Sequence, residues 1–184
     1  VYKRQIVGGD IVASPVLFVT AAITGCTEGS VMRRDAARLG DLVAVTGPLG
    51  TSSGGLRMLA SGLWFDHETM QTLREAHLRP RPCLVAGRIL AQHGICCSQD
   101  ISDGLVRDLG NTCEASGVAT RIDAERVPLA ASLKEAFPDE ALGLALSGGE
   151  DYQLLFTAPP NKMRDVLSYL PSGAAVIGEV VEGI

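Results

Sequence analysis

The sequence is poor in aromatic side chains, has no excess of basic charge and contains no long hydrophobic run. Phe, Trp and Tyr make up 4% of the 184 residues, and the formal net charge is −5 at pH 7. A nucleic-acid groove needs basic residues for phosphates and aromatic rings for base stacking, so we expect no nucleic-acid partner. No stretch reaches the roughly 18 apolar residues of a membrane span, and no signal-peptide pattern is seen. We therefore expect a cytoplasmic protein without a membrane partner.

Sequence patterns for several common sites are also missing. No two of the five cysteines have the C-x-x-C spacing of a zinc or redox site, so we interpret them as small buried residues in a reducing compartment. The glycine-rich residues 47–55 lack the Lys-Ser or Lys-Thr ending of a Walker A loop, and we interpret them as a turn that caps a helix. The three histidines, which have no ligand-like spacing, are expected at the surface or at helix ends: His67, His77 and His93.

Short apolar runs alternate with amphipathic segments along the chain, which predicts an α/β fold of helices layered on a mixed sheet. The predicted strands are residues 16–24, 42–46, 95–98, 118–123, 152–157 and 174–181. The predicted helices follow residues 47–55 and then occupy residues 67–77, 82–93, 103–116, 130–137, 139–144 and 161–170. No serine or cysteine has an evident histidine and acid partner. The pattern therefore favours phosphoryl transfer, in which positioned metal ions and hydrogen-bond donors stabilise the reacting groups, over covalent catalysis.

The motif Gln-Asp-Ile-Ser-Asp-Gly-Leu places Asp100 and Asp103 around Ser102, between a predicted strand and a predicted helix. Two carboxylates about 4 Å apart repel by about 4 kcal/mol at an effective dielectric constant near 20, so convergence would require a cation. Mg²⁺ accepts carboxylate oxygens and leaves positions for a phosphate. The alternative is structural: Ser102 would be an ordinary N-cap, and Asp103 would complement the helix dipole.

Two further corners of the chain combine glycines with an acid. They are Gly8-Gly9-Asp10 and Ser147-Gly148-Gly149-Glu150-Asp151, the second directly before a predicted strand. Paired glycines allow the backbone to approach a ligand, and the adjoining acid can hold a metal ion or a substrate cation. Each corner alone is also compatible with a simple turn.

Read in order, these motifs resemble thiamine-monophosphate kinases, members of the superfamily of aminoimidazole-ribonucleotide synthetase and selenophosphate synthetase. The matching pieces are Gly8-Gly9-Asp10, Arg-Asp-Ala-Ala-Arg-Leu-Gly-Asp at 34–41, Val-Thr-Gly-Pro-Leu-Gly at 45–50, Asp-Ile-Ser-Asp-Gly-Leu at 100–105 and Ser-Gly-Gly-Glu-Asp-Tyr-Gln-Leu-Leu-Phe at 147–156. The resemblance implies transfer of the γ-phosphoryl group of ATP to thiamine monophosphate, with Mg²⁺ as cofactor.

The resemblance also implies a role for each motif residue. Asp10 and Asp100 would hold Mg²⁺ at the nucleotide phosphates, and Asp103 would hold a further Mg²⁺. The residues expected to contact ATP are Gly9, Arg34 and Ser102. Glu150 would contact the thiamine substrate.

The sequence departs from the family at Asp35-Ala36 and at Gln153, where a glutamate is common. The resemblance further implies that residues 1–27 are a remnant of an N-terminal ATP-binding domain and that residues 28–184 form the C-terminal domain. We therefore expect a fragment with little turnover of its own and a homodimeric full-length protein. Two alternatives remain open: another ATP-dependent synthetase of the superfamily, and a non-catalytic nucleotide-binding or dimerisation module.

Overall fold

The computed structural model describes residues 6, 8–25 and 31–183, and within them one sheet carries helices on both faces. The strands are β1 (Leu42–Val45), β2 (Cys97–Asp100), β3 (Ala119–Ile122), β4 (Leu154–Ala158) and β5 (Ala175–Val181). The helices are α1 (Thr51–Ser61), α2 (His67–Leu78), α3 (Leu84–Gln92), α4 (Leu105–Ser116), α5 (Ala131–Ala136), α6 (Ala141–Ser147) and α7 (Pro160–Leu167). The strand order is β2-β4-β1-β5-β3, and all four neighbouring pairs are antiparallel.

Alternating side chains of the central strands divide the core between the two faces of the sheet. Leu155 of β4 packs with Leu105 and Leu109 of α4 on one face. Phe156, the next residue, packs with α3 and α7 on the other face. This period of two is the pattern of a strand covered on both sides. The predicted α/β fold class is therefore confirmed, but the five strands of the described part of the chain pair only antiparallel and do not form the mixed sheet that was expected. A third apolar cluster joins α1, α2 and α5.

The strand predicted at residues 16–24 is wrong. Residues 8–25 have no helical or strand structure, and Leu17 and Ile23 are each 95% exposed. A strand requires a neighbouring backbone for its hydrogen bonds, and no described residue pairs with this segment. The predicted domain boundary between residues 27 and 28 lies outside the described residues, as does Val7.

The remaining predicted elements are present, with shifted ends. Each described histidine lies at a helix end, as predicted: His67 begins α2, His77 is in its last turn and His93 caps α3. The interpretation of the cysteines is wrong for Cys96, which is exposed, although the adjacent Cys97 is buried. No helix among the described residues has both the length and the hydropathy needed to cross a membrane.

The crossing of α1 over α2 depends on Gly55. A Cβ at this position would lie 2.0 Å from the carbonyl oxygen of Leu73, a backbone atom that cannot move without moving α2. We expect Gly55→Ala to lower the free energy of unfolding by about 1–3 kcal/mol through overpacking, despite the better helix propensity of alanine. Urea unfolding measures the change. Gly110→Ala in α4 is the control, because its added Cβ meets nothing within 4 Å; equal behaviour of the two variants would contradict the prediction.

Candidate functional site

Two loops meet where β2 ends and β4 begins, and their backbones continue the hydrogen-bond ladder beyond these two strands. Ile101 N donates to Gln153 O at 2.8 Å, and Tyr152 N donates to Ile101 O at 3.0 Å. One step further, Glu150 N donates to Ser102 O at 2.9 Å. We call residues 100–104 and 147–153 the paired loops. Their hydrogen bonds bring two of the predicted corners of the sequence together.

Two glycines allow the paired loops to approach this closely. A Cβ on Gly149 would lie 2.3 Å from the carbonyl oxygen of Ser102. Gly104 has φ +111°, and a Cβ there would lie 2.8 Å from the carbonyl oxygen of Ser147. A larger residue at either position would push the loops apart.

Three predicted site carboxylates lie around one phenol on the paired loops. Tyr152 Oη donates to Glu150 Oε2 at 2.9 Å, and this hydrogen bond and the charge of Glu150 raise the pKa of the Tyr152 phenol. The negative charges of Asp100 and Asp103 raise the pKa of the phenol in the same direction. Asp100, Asp103 and Glu150 are all exposed. The structure thus places these acids on the same pair of loops, at a surface that a ligand can reach.

Glu150 and Tyr152 have backbone conformations that are uncommon for residues with side chains. Their φ angles are +68° and +50°, in the left-handed region that favours glycine. Each such conformation costs of the order of 1–3 kcal/mol and persists only where the surroundings hold it. Strain of this kind is concentrated at functional sites, which agrees with the position of the acids.

Asp151, between the two strained residues, binds the start of α1. Its Oδ2 accepts from Gly50 N at 2.6 Å and its Oδ1 accepts from Ser52 N at 3.1 Å. Burial raises the pKa of Asp151, and the hydrogen bonds from the α1 backbone oppose that rise. The interpretation of residues 47–55 as a turn leading into a helix is confirmed. The sequence pattern does not predict that Asp151 caps α1, because Asp151 lies about 100 residues further along the chain.

Asp108, which was not among the predicted site residues, fixes the loop that carries Asp100 and Asp103. It is buried in the first turn of α4, and its Oδ2 accepts from Ser102 N at 3.0 Å and from Asp103 N at 2.9 Å. The structural alternative for Ser102 is wrong, because the N-cap of α4 is Gly104 and no side chain caps the helix there. An acid near the start of a predicted helix was the available signal.

The other predicted site residues lie elsewhere in the described structure. Arg34 O accepts from Ser116 Oγ at 2.9 Å, so Arg34 lies beside the C-terminal half of α4. At 1.5 Å per residue, Ser116 is about 16 Å along the axis of α4 from Leu105, so the backbone of Arg34 lies at the opposite end of this helix from the loop that carries Ser102. Gly9 and Asp10 are in the exposed segment 8–25, where Asp10 Oδ1 accepts from Ile11 N at 2.8 Å. The roles expected for these three residues remain predictions.

The donor set at the paired loops suits part of a magnesium site. Among the described ranges, no group of three or more His, Cys, Asp or Glu side chains is arranged to hold a metal ion. Mg²⁺ is commonly bound through only one or two carboxylates, with phosphate oxygens and waters completing its shell. Asp100 and Asp103 are exposed oxygen donors of the required chemistry, so they fit an open site that a phosphorylated ligand would complete.

Comparisons with known proteins agree with these motifs. The family described as AIR synthase related protein, C-terminal domain, matches residues 38–183. Thiamine-monophosphate kinase of Aquifex aeolicus strain VF5 is 38% identical over 183 residues, covering 98% of this chain and 59% of that protein. The resemblance inferred from the motifs is therefore confirmed.

Solved structures with the same fold are also similar. The crystal structure of thiamine-monophosphate kinase from Stenotrophomonas maltophilia K279a has a TM-score of 0.77 and 36% identity, covering 84% of this chain and 52% of that chain. A structure of AaThiL complexed with AMPPCP and TMP has a TM-score of 0.75 and 37% identity, covering 84% and 49%. The chain spans about half the length of the relatives that it matches.

Proposed function

The chain belongs to the family of AIR synthase related protein C-terminal domains, and on that basis we propose that it is the C-terminal part of a thiamine-monophosphate kinase. The reaction transfers the γ-phosphoryl group of ATP to a phosphate oxygen of thiamine monophosphate, and gives thiamine diphosphate and ADP. The relatives of similar sequence that carry this name, and the AaThiL complex with AMPPCP and TMP, support the proposal.

The observation that carries the proposal is the pairing of the two loops that carry the exposed acids Asp100, Asp103 and Glu150. Donor and acceptor of the reaction are both anionic, so the site must offset repulsion between two phosphate groups. Asp100 and Asp103 would hold Mg²⁺, which supplies positive charge to the phosphates when bound. Glu150 presents a carboxylate to the positively charged thiamine part of the acceptor, away from its phosphate. Asp108 holds the amides of Ser102 and Asp103, and so keeps the loop in place.

The remaining expected contacts and the organisation of the whole protein belong to the same proposal. Gly9, Arg34 and Ser102 contact ATP, and Asp10 adds a further carboxylate for Mg²⁺. Residues 1–27 are a remnant of an ATP-binding domain, and residues 28–184 are the C-terminal domain. The full-length protein is a cytoplasmic homodimer without nucleic-acid or membrane partners. The relatives, about twice as long as the part matched here, support this division.

The test is an assay of the purified full-length protein with ATP, Mg²⁺ and thiamine monophosphate, with products separated by chromatography. We expect thiamine diphosphate and ADP in equal amounts, and loss of both when EDTA removes Mg²⁺. The isolated 184 residues should have little or no turnover; robust ATP consumption by them would contradict the proposed division of the site.

Two other outcomes would point to the alternatives. Consumption of ATP without thiamine diphosphate, stimulated by another small acceptor, would indicate a different ATP-dependent synthetase. Absence of turnover, together with absence of Mg²⁺-dependent nucleotide binding in calorimetry, would indicate a non-catalytic module. Either result would overturn the proposed kinase activity.

A further inference from the structure

We infer that Asp151 is a positioning residue, which holds Glu150 and Tyr152 in the conformation that receives the acceptor. The inference rests on the proposed function, because the acceptor is taken to be thiamine monophosphate. Asp151 itself does not face the acids of the paired loops. Its carboxylate is directed to the start of α1, where it accepts from the amides of Gly50 and Ser52.

The strained residues on both sides of Asp151 must be held by their contacts, and the carboxylate of Asp151 adds to the backbone hydrogen bonds of Glu150 and Tyr152. Glu150 and Tyr152 both have positive φ, so the segment would relax to an ordinary conformation if nothing held it. A hydrogen bond to a charged acceptor is stronger than one between neutral groups, and its contribution to stability is comparable to the cost of one strained residue. The two bonds of Asp151 are thus of the right magnitude to maintain the pair of strained residues.

The start of α1, to which Asp151 is bonded, is itself closely packed. Gly50 has φ +81°, and a Cβ there would lie 2.6 Å from the amide nitrogen of Ala145, so α1 begins in close contact with α6. Gln153, two residues after Asp151, is held by Thr46 of the loop after β1, whose Oγ1 donates to Gln153 Oε1 at 2.9 Å. Asp151 and Gln153 together attach the loop to the sheet and to α1.

The experiment compares Asp151→Ala and Asp151→Asn in the full-length protein. We expect Asp151→Ala to raise KM for thiamine monophosphate about tenfold or more, the equivalent of losing one charged hydrogen bond, with KM for ATP nearly unchanged. Asp151→Asn should have an intermediate effect, because its amide oxygen can still accept from one of the two N–H groups. A change confined to the stability of the protein would overturn the inference.

Asp66 provides a matched control. It is the N-cap of α2, and its Oδ1 accepts from Glu68 N and Thr69 N at 3.0 Å, so it performs the same kind of capping away from the paired loops. We expect Asp66→Ala to lower the temperature of unfolding without changing KM for either substrate. If Asp66→Ala raises KM for thiamine monophosphate as much as Asp151→Ala, loss of a helix cap is sufficient and the inference fails.

A second measurement does not depend on activity. The amides of Glu150 and Tyr152 donate to the 100–104 loop, so their hydrogen exchange reports whether the paired loops stay together. We expect these amides to exchange about tenfold faster in Asp151→Ala than in Asp66→Ala, with the central strands unaffected. Unchanged exchange there would overturn the inference. If these amides exchange faster in Asp151→Ala than in Asp66→Ala but the wild-type protein forms no thiamine diphosphate, the proposed function fails and the anchoring by Asp151 stands.

Discussion

Asp103→Asn in the full-length protein is expected to lower kcat for thiamine diphosphate formation by about 100-fold or more. The substitution removes a negative charge from the cluster that is proposed to hold Mg²⁺ opposite two phosphate groups. The side chain is 51% exposed, and its ion pair with Arg107, at 3.5 Å, is also exposed. Exposed pairs of this kind contribute little to stability, so the temperature of unfolding should be nearly unchanged.

Asp139→Asn is the control for this prediction. Asp139 is exposed near the N-terminal end of α6, whereas the paired loops begin at the other end of this helix, so the substitution removes an equal charge outside the site. Turnover is measured by chromatography and stability by thermal unfolding. Wild-type turnover of Asp103→Asn would remove this residue from the mechanism, and an equal loss in Asp139→Asn would show that net charge alone is responsible.

Gly149→Ala is expected to lower the free energy of unfolding by about 1–3 kcal/mol and product formation by about tenfold or more. The added Cβ would lie 2.3 Å from the carbonyl oxygen of Ser102, so the paired loops must move apart. This movement would shift Glu150 relative to Asp100 and Asp103. Even a small shift of this kind lowers the rate, because catalysis depends on the exact placement of the reacting groups. Urea unfolding and steady-state kinetics measure the two effects.

Gly143→Ala, six residues earlier, serves as the control. Gly143 is inside α6, and an added Cβ meets nothing within 4 Å, so alanine should stabilise the helix by up to about 1 kcal/mol and leave turnover unchanged. If Gly149→Ala is as active and as stable as Gly143→Ala, the close approach of the two loops is not required.

Elements with a local signal could be predicted from the sequence. The strand β4 is a run of apolar residues next to a glycine-rich turn, and α4 ends at Gly117, which has φ +65°. The strand expected at residues 16–24 has an equally apolar composition, but composition does not supply a pairing partner. Strand formation there depends on long-range contacts that a single segment cannot indicate.

In the candidate site, too, the features with a local sequence signal could be predicted and those that depend on distant residues could not. Asp103 and Glu150 stand beside glycines and Asp100 is in the same motif as Asp103, and these local patterns marked the two segments that pair in the structure; the roles of the three acids remain predictions. The anchoring contact of Asp151 was not predictable, because its partners Gly50 and Ser52 are about 100 residues away. The positive φ of Glu150 and Tyr152 was also invisible, since neither residue type favours that conformation.

The ladder that joins β2 to β4 and continues into the paired loops makes the site sensitive to chain length in one place and tolerant in another. Because side chains alternate along a strand, deleting one residue within β2 would turn Asp100 to the opposite face and misalign every bond that follows it. Residues 123–126, which follow β3, are exposed and contribute no hydrogen bond to the paired loops in the described structure. Insertions accumulated by descendants of this gene should therefore be found in that segment, and be rare between Cys97 and Asp100.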